Sequence, residues 1–107
     1  MDQECVFCKI VGKKLPAYIV FEDENSMAFL DIDPLFKGDC LVIPKKHYET
    51  VMDTPDEIVR ELFSNVKLVS TAVQKALKCD GILISFFELI LTNFGVGLLI
   101  ATILYRT

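Results

Sequence analysis

Between residues 54 and 78 the apolar side chains Ile58, Leu62, Val66, Val69, Val73 and Leu77 recur at intervals of three and four. That spacing gathers them into one stripe of an α-helix, and a stripe of this kind faces a core. Start signals sit where such a helix needs them. Thr54 is a suitable N-cap, Pro55 suits the first helical position, and Glu57 follows three residues after the cap, which makes a capping box. Gly81, after Cys79 and Asp80, is a reasonable stop.

The residues before the helix have a different period. "AYIVFEDENSMAFLDI" predicts two strands, Ala17 to Phe21 and Ser26 to Ile32, joined by a polar turn from Glu22 to Asn25. Pro34 and Gly38 in "DPLFKGD" mark a loop. "CLVIP" predicts a third strand from Cys40 to Ile43, closed by Pro44, which cannot donate to a ladder. Residues 5 to 14 begin apolar and end basic ahead of Pro16, consistent with a short helix or turn. Strands followed by one long amphipathic helix imply an α+β fold, an antiparallel sheet with the helix across it. At 107 residues the chain supports one modest core.

A net charge of −4 gives no positive face for a nucleic-acid backbone, while leaving small phosphate-bearing ligands open. The basic doublets Lys13-Lys14 and Lys45-Lys46 each lie near acids, the usual look of solvated loop charge. The acidic start "MDQECVFCKI" has no apolar h-region, so it reads as neither secretory signal nor transit peptide. A reducing, cytoplasmic setting is therefore expected, with cysteines as thiols or metal ligands.

"CVFCKI" sets Cys5 and Cys8 at the C-x2-C spacing that lets two thiolates meet one ion, and zinc takes four N or S ligands. His47 is the one histidine in the chain, hence its one imidazole ligand. A C-x2-C alone is half a site. Cys5 and Cys8 read equally well as small buried hydrophobes beside Phe7 and Ile10. A redox pair lacks the βαβ context it needs. Cys40, Cys79 and water are candidates for a fourth ligand.

Taken in order, "CVFCKIV", "LPAYIVFEDENSMAFLDIDP", "KGDCLVIPKKHYET" and the capped helix from "TPDE" resemble the N-terminal part of the histidine triad (HIT) family of nucleotide-binding hydrolases and transferases. The resemblance spans roughly residues 4 to 81. It implies an antiparallel sheet, a homodimer and a purine nucleotide in a cleft. By position the base and ribose would be lined by Val6, Phe7, Ile10, Phe29, Leu30, Asp31 and Ile32. Branched and aromatic side chains suit a purine, and a carboxylate suits ribose hydroxyls. Some members bind zinc through a C-x-x-C and the "PKKH" histidine, which here implies Cys5, Cys8 and His47.

The family's chemistry resides in a C-terminal H-φ-H-φ-H-φ-φ segment, whose middle histidine attacks the α-phosphate. This chain has no histidine after His47, so no catalytic residue can be named. The hydroxyls of Ser85, Thr92, Thr102, Tyr105 and Thr107 have no general base placed by spacing. "TNFGVG" resembles the family's Asn-x-Gly loop only faintly, and a turn between apolar segments explains it better.

The last 27 residues, "GILISFFELILTNFGVGLLIATILYRT", carry just two charged side chains, Glu88 and Arg106. Composition thus divides the chain into a HIT-like domain, 1–81, and a divergent apolar segment, 82–107. Three explanations stand. The segment supplies buried strands without the family's site. Or it contacts a membrane through 89–105, a run of 17 without charge at the short edge of a bilayer span. Or it does not derive from the family's C-terminus, through a shifted reading frame or an alternative splice, which best fits the abrupt change after "LKCDGI". The functional expectation is a HIT-like purine-nucleotide-binding protein, inactive in this form. The alternative is a non-catalytic binding module or a tail-anchored protein.

Overall fold

The computed structural model describes residues 6–30, 40–48, 52–78, 80–91 and 96–106. The elements are helix α1 (Val6–Val11), strands β1 (Ile19–Glu22), β2 (Ser26–Leu30) and β3 (Cys40–Pro44), helix α2 (Asp56–Leu77), and strands β4 (Gly81–Leu91) and β5 (Val96–Arg106). Among the described residues the strands make one five-stranded sheet in the order β1-β2-β3-β5-β4, every neighbouring pair antiparallel. The fold is α+β with one long helix, as the periodicities imply.

Strand alternation distributes the core to both sides of the sheet. Ala28, Cys40 and Val42 pack against Leu62, Val66 and Val69 of α2, with Phe21, Leu30, Val73 and Ile82 around them. The intervening residues Met27, Phe29 and Ile43 pack with Ile10 of α1 on the other side, joined by Phe7, Cys8, Val11, Ala17 and Leu41. The pairing Met27↔Ile43, Ala28↔Val42, Phe29↔Leu41 keeps each side consistent across the strands.

The stripe on α2 is where its spacing puts it, but both ends of the helix lie elsewhere than expected. Pro55 has φ −57° and ψ 144°, an extended conformation, so it precedes the helix instead of opening it. Its carbonyl accepts from the N–H groups of Ile58 (3.0 Å) and Val59 (3.1 Å), and the capping box expected from Thr54 gives way to Pro55 as the cap. Asp56 and Glu57 then place negative charge at the positive end of the helix dipole. At the other end Lys78 adopts φ 52° and ψ 42°, the left-handed conformation that closes a helix. Gly81 is therefore not the stop; it is the first residue of β4.

The turn between β1 and β2 is tied to α2. The Asp23 Oδ1 accepts from the backbone N–H of Asn25 (3.0 Å) and Ser26 (2.8 Å). Its Oδ2 accepts from Asn65 Nδ2 at 3.0 Å, and Asn25 Nδ2 donates to Glu61 Oε2 at 2.7 Å. An aspartate that bonds backbone two and three residues on is the usual reason for its presence in a tight turn.

The apolar segment forms two strands. β4 and β5 pair in continuous register from Gly81↔Arg106 to Leu91↔Val96, and β5 joins β3 through Cys40↔Ile103, Leu41↔Thr102 and Val42↔Ala101. The apolar run thus closes the edge that β3 would otherwise expose. Among the described residues no helix is long and apolar enough to cross a membrane.

Candidate functional site

Six residues are too few for a helix to persist alone, so α1 depends on the sheet beneath it. Phe7, Ile10 and Val11 recur at the helical spacing that gives one apolar face, and that face meets Met27, Phe29 and Ile43. The Phe7 and Phe29 rings lie with centroids 6.1 Å apart and planes inclined by 35°, a tilted aromatic pair. Phe29 is buried and Phe7 only half-buried, so the pair forms a wall with one ring open to the outside.

The helix is closed tightly. The N–H of Gly12 donates to the Cys8 carbonyl at 2.9 Å, that of Lys14 to the Lys9 carbonyl at 2.8 Å, and Lys13 takes φ 63°. This turn brings Lys13 to Glu22, whose carboxylate also receives Lys45 from the end of β3, at 3.2 and 2.7 Å respectively. The Lys45 hydrogen bond, then that of Lys13, holds the Glu22 carboxyl below its ordinary range. The two lysine doublets are thereby partly neutralised by an acid, as their sequence neighbourhoods imply. Lys46 sits over the Tyr48 ring with its ammonium 5.8 Å from the centroid.

His47 follows β3 and reaches back to α1. Its Nδ1 lies 3.3 Å from the Cys8 Sγ, although 39 residues separate the two in the chain. A zinc ion with ligands at about 2.3 Å for sulfur and 2.0 Å for nitrogen sets tetrahedral S and N neighbours roughly 3.5 Å apart. The Cys8–His47 separation is close to that distance. Cys5 lies outside the described residues, and among those described no group of three or more metal-binding side chains forms.

The remaining residues implied for nucleotide binding divide. Val6 opens α1, and Phe7, Ile10 and Phe29 come together on its side of the sheet. Leu30 does not join them. Being next to Phe29 in a strand, it takes the opposite side and lines an apolar cleft of about 450 Å³ beside Val20, Phe21 and the α2 residues Leu68, Val73 and Leu77. Asp31 and Ile32 lie outside the described residues. Residues that the sequence reading did not single out, Met27, Leu41 and Ile43, share the Phe29 side. The alternation within "SMAFL" and "CLVIP" carried that information once one residue's side was known.

A family model described as HIT domain matches residues 12–90. An uncharacterised HIT-like protein of Methanocaldococcus jannaschii is 47% identical over 77 residues, 72% of this chain and 59% of that protein. An adenylylsulfatase of Arabidopsis thaliana is 38% identical over 93 residues, 87% of this chain and 45% of that enzyme. The chain spans roughly half the length of such relatives. Among solved structures, a zinc-bound histidine triad family protein of Mycobacterium smegmatis superposes with a TM-score of 0.88 at 32% identity, covering 100% of this chain and 78% of that one. A hypothetical histidine triad nucleotide-binding protein of Sulfolobus tokodaii gives 0.84 at 36% identity, covering 95% and 68%.

Proposed function

We propose, for a chain that belongs to the histidine triad (HIT) family, a purine-nucleotide-binding function without nucleotidyl turnover. The observation that carries the binding half is the Phe7–Phe29 wall, an aromatic pair with one half-buried ring, placed by α1 over β2. Val6, Ile10, Asp31 and Ile32 are the remaining candidates from the resemblance, while Leu30 lies on the other side of the sheet. The names of the relatives, an adenylylsulfatase and a nucleotide-binding protein, support the same ligand class. The inactive half rests on composition. Phosphoryl attack needs a nucleophile activated by a neighbouring base, and the sole imidazole, His47, has its Nδ1 against Cys8.

Zinc fits the same corner in a structural role. Cys8 and His47 would hold it, with Cys5 as the third ligand. When bound, the ion supplies a cross-link between α1 and the end of β3. Nothing in the proposal requires it to touch the ligand. A homodimer is the assembly we favour, and the outer edge of β4, with Leu83 and Ile84 exposed beside it, is the surface that would serve. A cytoplasmic setting suits both thiol ligands and nucleotide.

Isothermal titration of the chain with AMP, run with and without zinc, tests the reading. Saturable binding is expected, weakened roughly tenfold by Phe7→Ala, since a base–aromatic contact is worth about 1–3 kcal/mol. Absence of saturable binding in both conditions would sink it. Hydrolysis of an adenosine phosphoramidate at a rate within about tenfold of an ordinary HIT hydrolase would overturn the inactive half.

A further inference from the structure

Little apolar contact holds α1 in place. A helix of six residues does not persist by itself, and of the α1 side chains described only Ile10 is buried. Phe7, the outer ring of the aromatic wall, is half-buried on the same element. The position of the wall therefore depends on what else fastens α1 to the sheet.

The turn that closes α1 supplies a fastening. Lys13 takes φ 63°, a left-handed conformation that a residue with a Cβ adopts only at a cost, although Gly12 stands beside it. What Lys13 brings and glycine lacks is an ammonium group, 3.2 Å from Glu22 Oε1. The carboxylate is itself held on the sheet. Glu22 pairs with Met27 and Met27 with Ile43, so all three share the side of the sheet on which α1 packs. Its other oxygen, Oε2, takes Lys45 Nζ at 2.7 Å, and the Lys45 N–H donates to the Asn25 carbonyl at 2.8 Å. Two of the three charges thus belong to the sheet or its end, and one to the turn after α1. A carboxylate with one oxygen already engaged by an anchored lysine presents the other in a fixed direction, which lowers the entropy lost when Lys13 docks.

We infer that Glu22 is a positioning residue of the base wall: through Lys13 and Lys45 it holds α1 where Phe7 meets Phe29, without touching the ligand. The inference rests on the nucleotide reading above and assigns that site a residue outside it. Where the binding-competent arrangement is only part of the population, apparent affinity falls by that fraction. Releasing the clamp should therefore weaken a ligand of the wall even when that ligand is neutral. A direct charge effect has another signature, since removing an anion beside two lysines favours an anionic ligand and leaves a neutral one alone. Adenosine, which is uncharged, isolates the positioning effect.

Calorimetric titration with adenosine and AMP tests this on the parent, Glu22→Gln, the pair Lys13→Met/Lys45→Met, and the triple variant. Glu22→Gln is expected to bind adenosine about threefold more weakly than the parent, the scale of a partly exposed ion-pair cluster. The lysine pair should show a similar loss and the triple variant no further one, because the three side chains act as a unit. The lysine pair also serves should Glu22→Gln fail to fold. In amide hydrogen exchange the N–H groups of Gly12 and Lys14, bonded to the Cys8 and Lys9 carbonyls, should exchange about threefold faster in each variant. Unchanged adenosine binding in Glu22→Gln, with AMP binding tightened, would reduce Glu22 to a charge effect and overturn the inference. So would an added loss in the triple variant as large as that of Glu22→Gln alone, or unaltered exchange at Gly12 and Lys14. No adenosine binding by the parent would instead sink the nucleotide reading, and this inference with it.

Discussion

Lys78 closes α2 with φ 52° and ψ 42°. A side chain with a Cβ meets the neighbouring carbonyl in that conformation, at a cost of roughly 1–2 kcal/mol, whereas glycine adopts it freely. Glycine also loses more unfolded-state entropy, about 0.5–1 kcal/mol, so the net gain expected of Lys78→Gly is about 0.5–1 kcal/mol. Lys78 is exposed, so little packing is lost with it. Its charge near the helix C-terminus is a separate contribution, of about 0.3–1 kcal/mol. Lys78→Ala removes the same charge and keeps the unfavourable backbone geometry, which makes it the proper reference. For 107 residues the unfolding entropy is about 0.22 kcal/mol per degree, so Lys78→Gly should melt roughly 2–4 °C above Lys78→Ala. Thermal unfolding followed by circular dichroism at 222 nm measures the difference. Equal midpoints for the two variants, or a lower one for glycine, would refute the claim that a left-handed residue ends this helix.

Two further expectations concern the site's surroundings. Glu22 has its folded-state pKa lowered by Lys45 and Lys13, so its stabilisation is fully present above the unfolded carboxylate pKa. That stabilisation is lost as pH falls through the lowered folded value; the gap in unfolding midpoint between the parent and Glu22→Gln should accordingly shrink on acidification, and a constant gap would count against the ion pairs. Zinc at a hundredfold excess over its Kd should raise stability by about 2.7 kcal/mol, an increment that Cys8→Ser largely removes and a chelator reverses; equal metal content in the parent and the variant would exclude Cys8 as a ligand.

Much of this fold was written in periods. The three- and four-residue spacing from Ile58 to Leu77 located α2, because only one face of that helix can be apolar and it must be buried. The ends were harder. Proline is compatible both with the first helical turn and with the extended residue before it, and the sequence around Pro55 contains nothing that separates ψ near −40° from ψ near 144°. At the other end a glycine three residues away looked like the natural stop, but lysine takes the strained conformation and leaves Gly81 to the strand. The Cys8–His47 contact was legible as a possibility of ligand type, yet its closeness depends on α1 folding over the end of β3, a tertiary event with no local signature. The last strands are the clearest limit. An uncharged run such as 89–105 satisfies the demands of a strand pair and of a lipid-facing segment equally, and the pairing of β5 with β3 is a tertiary event that the run itself does not announce.

The two-sided sheet also has a bearing on how such a protein can change. Along β2, consecutive residues answer to different neighbours: Ala28 to α2, and Met27 and Phe29 to α1. Substitutions at one parity should therefore alter packing against α2 and those at the other packing against α1. A lineage could change one side while selection for folding continued to act on the other. β2, which serves both sides, is then the part least free to drift, since a shift of one residue would exchange the face packed on α2 for the face packed on α1.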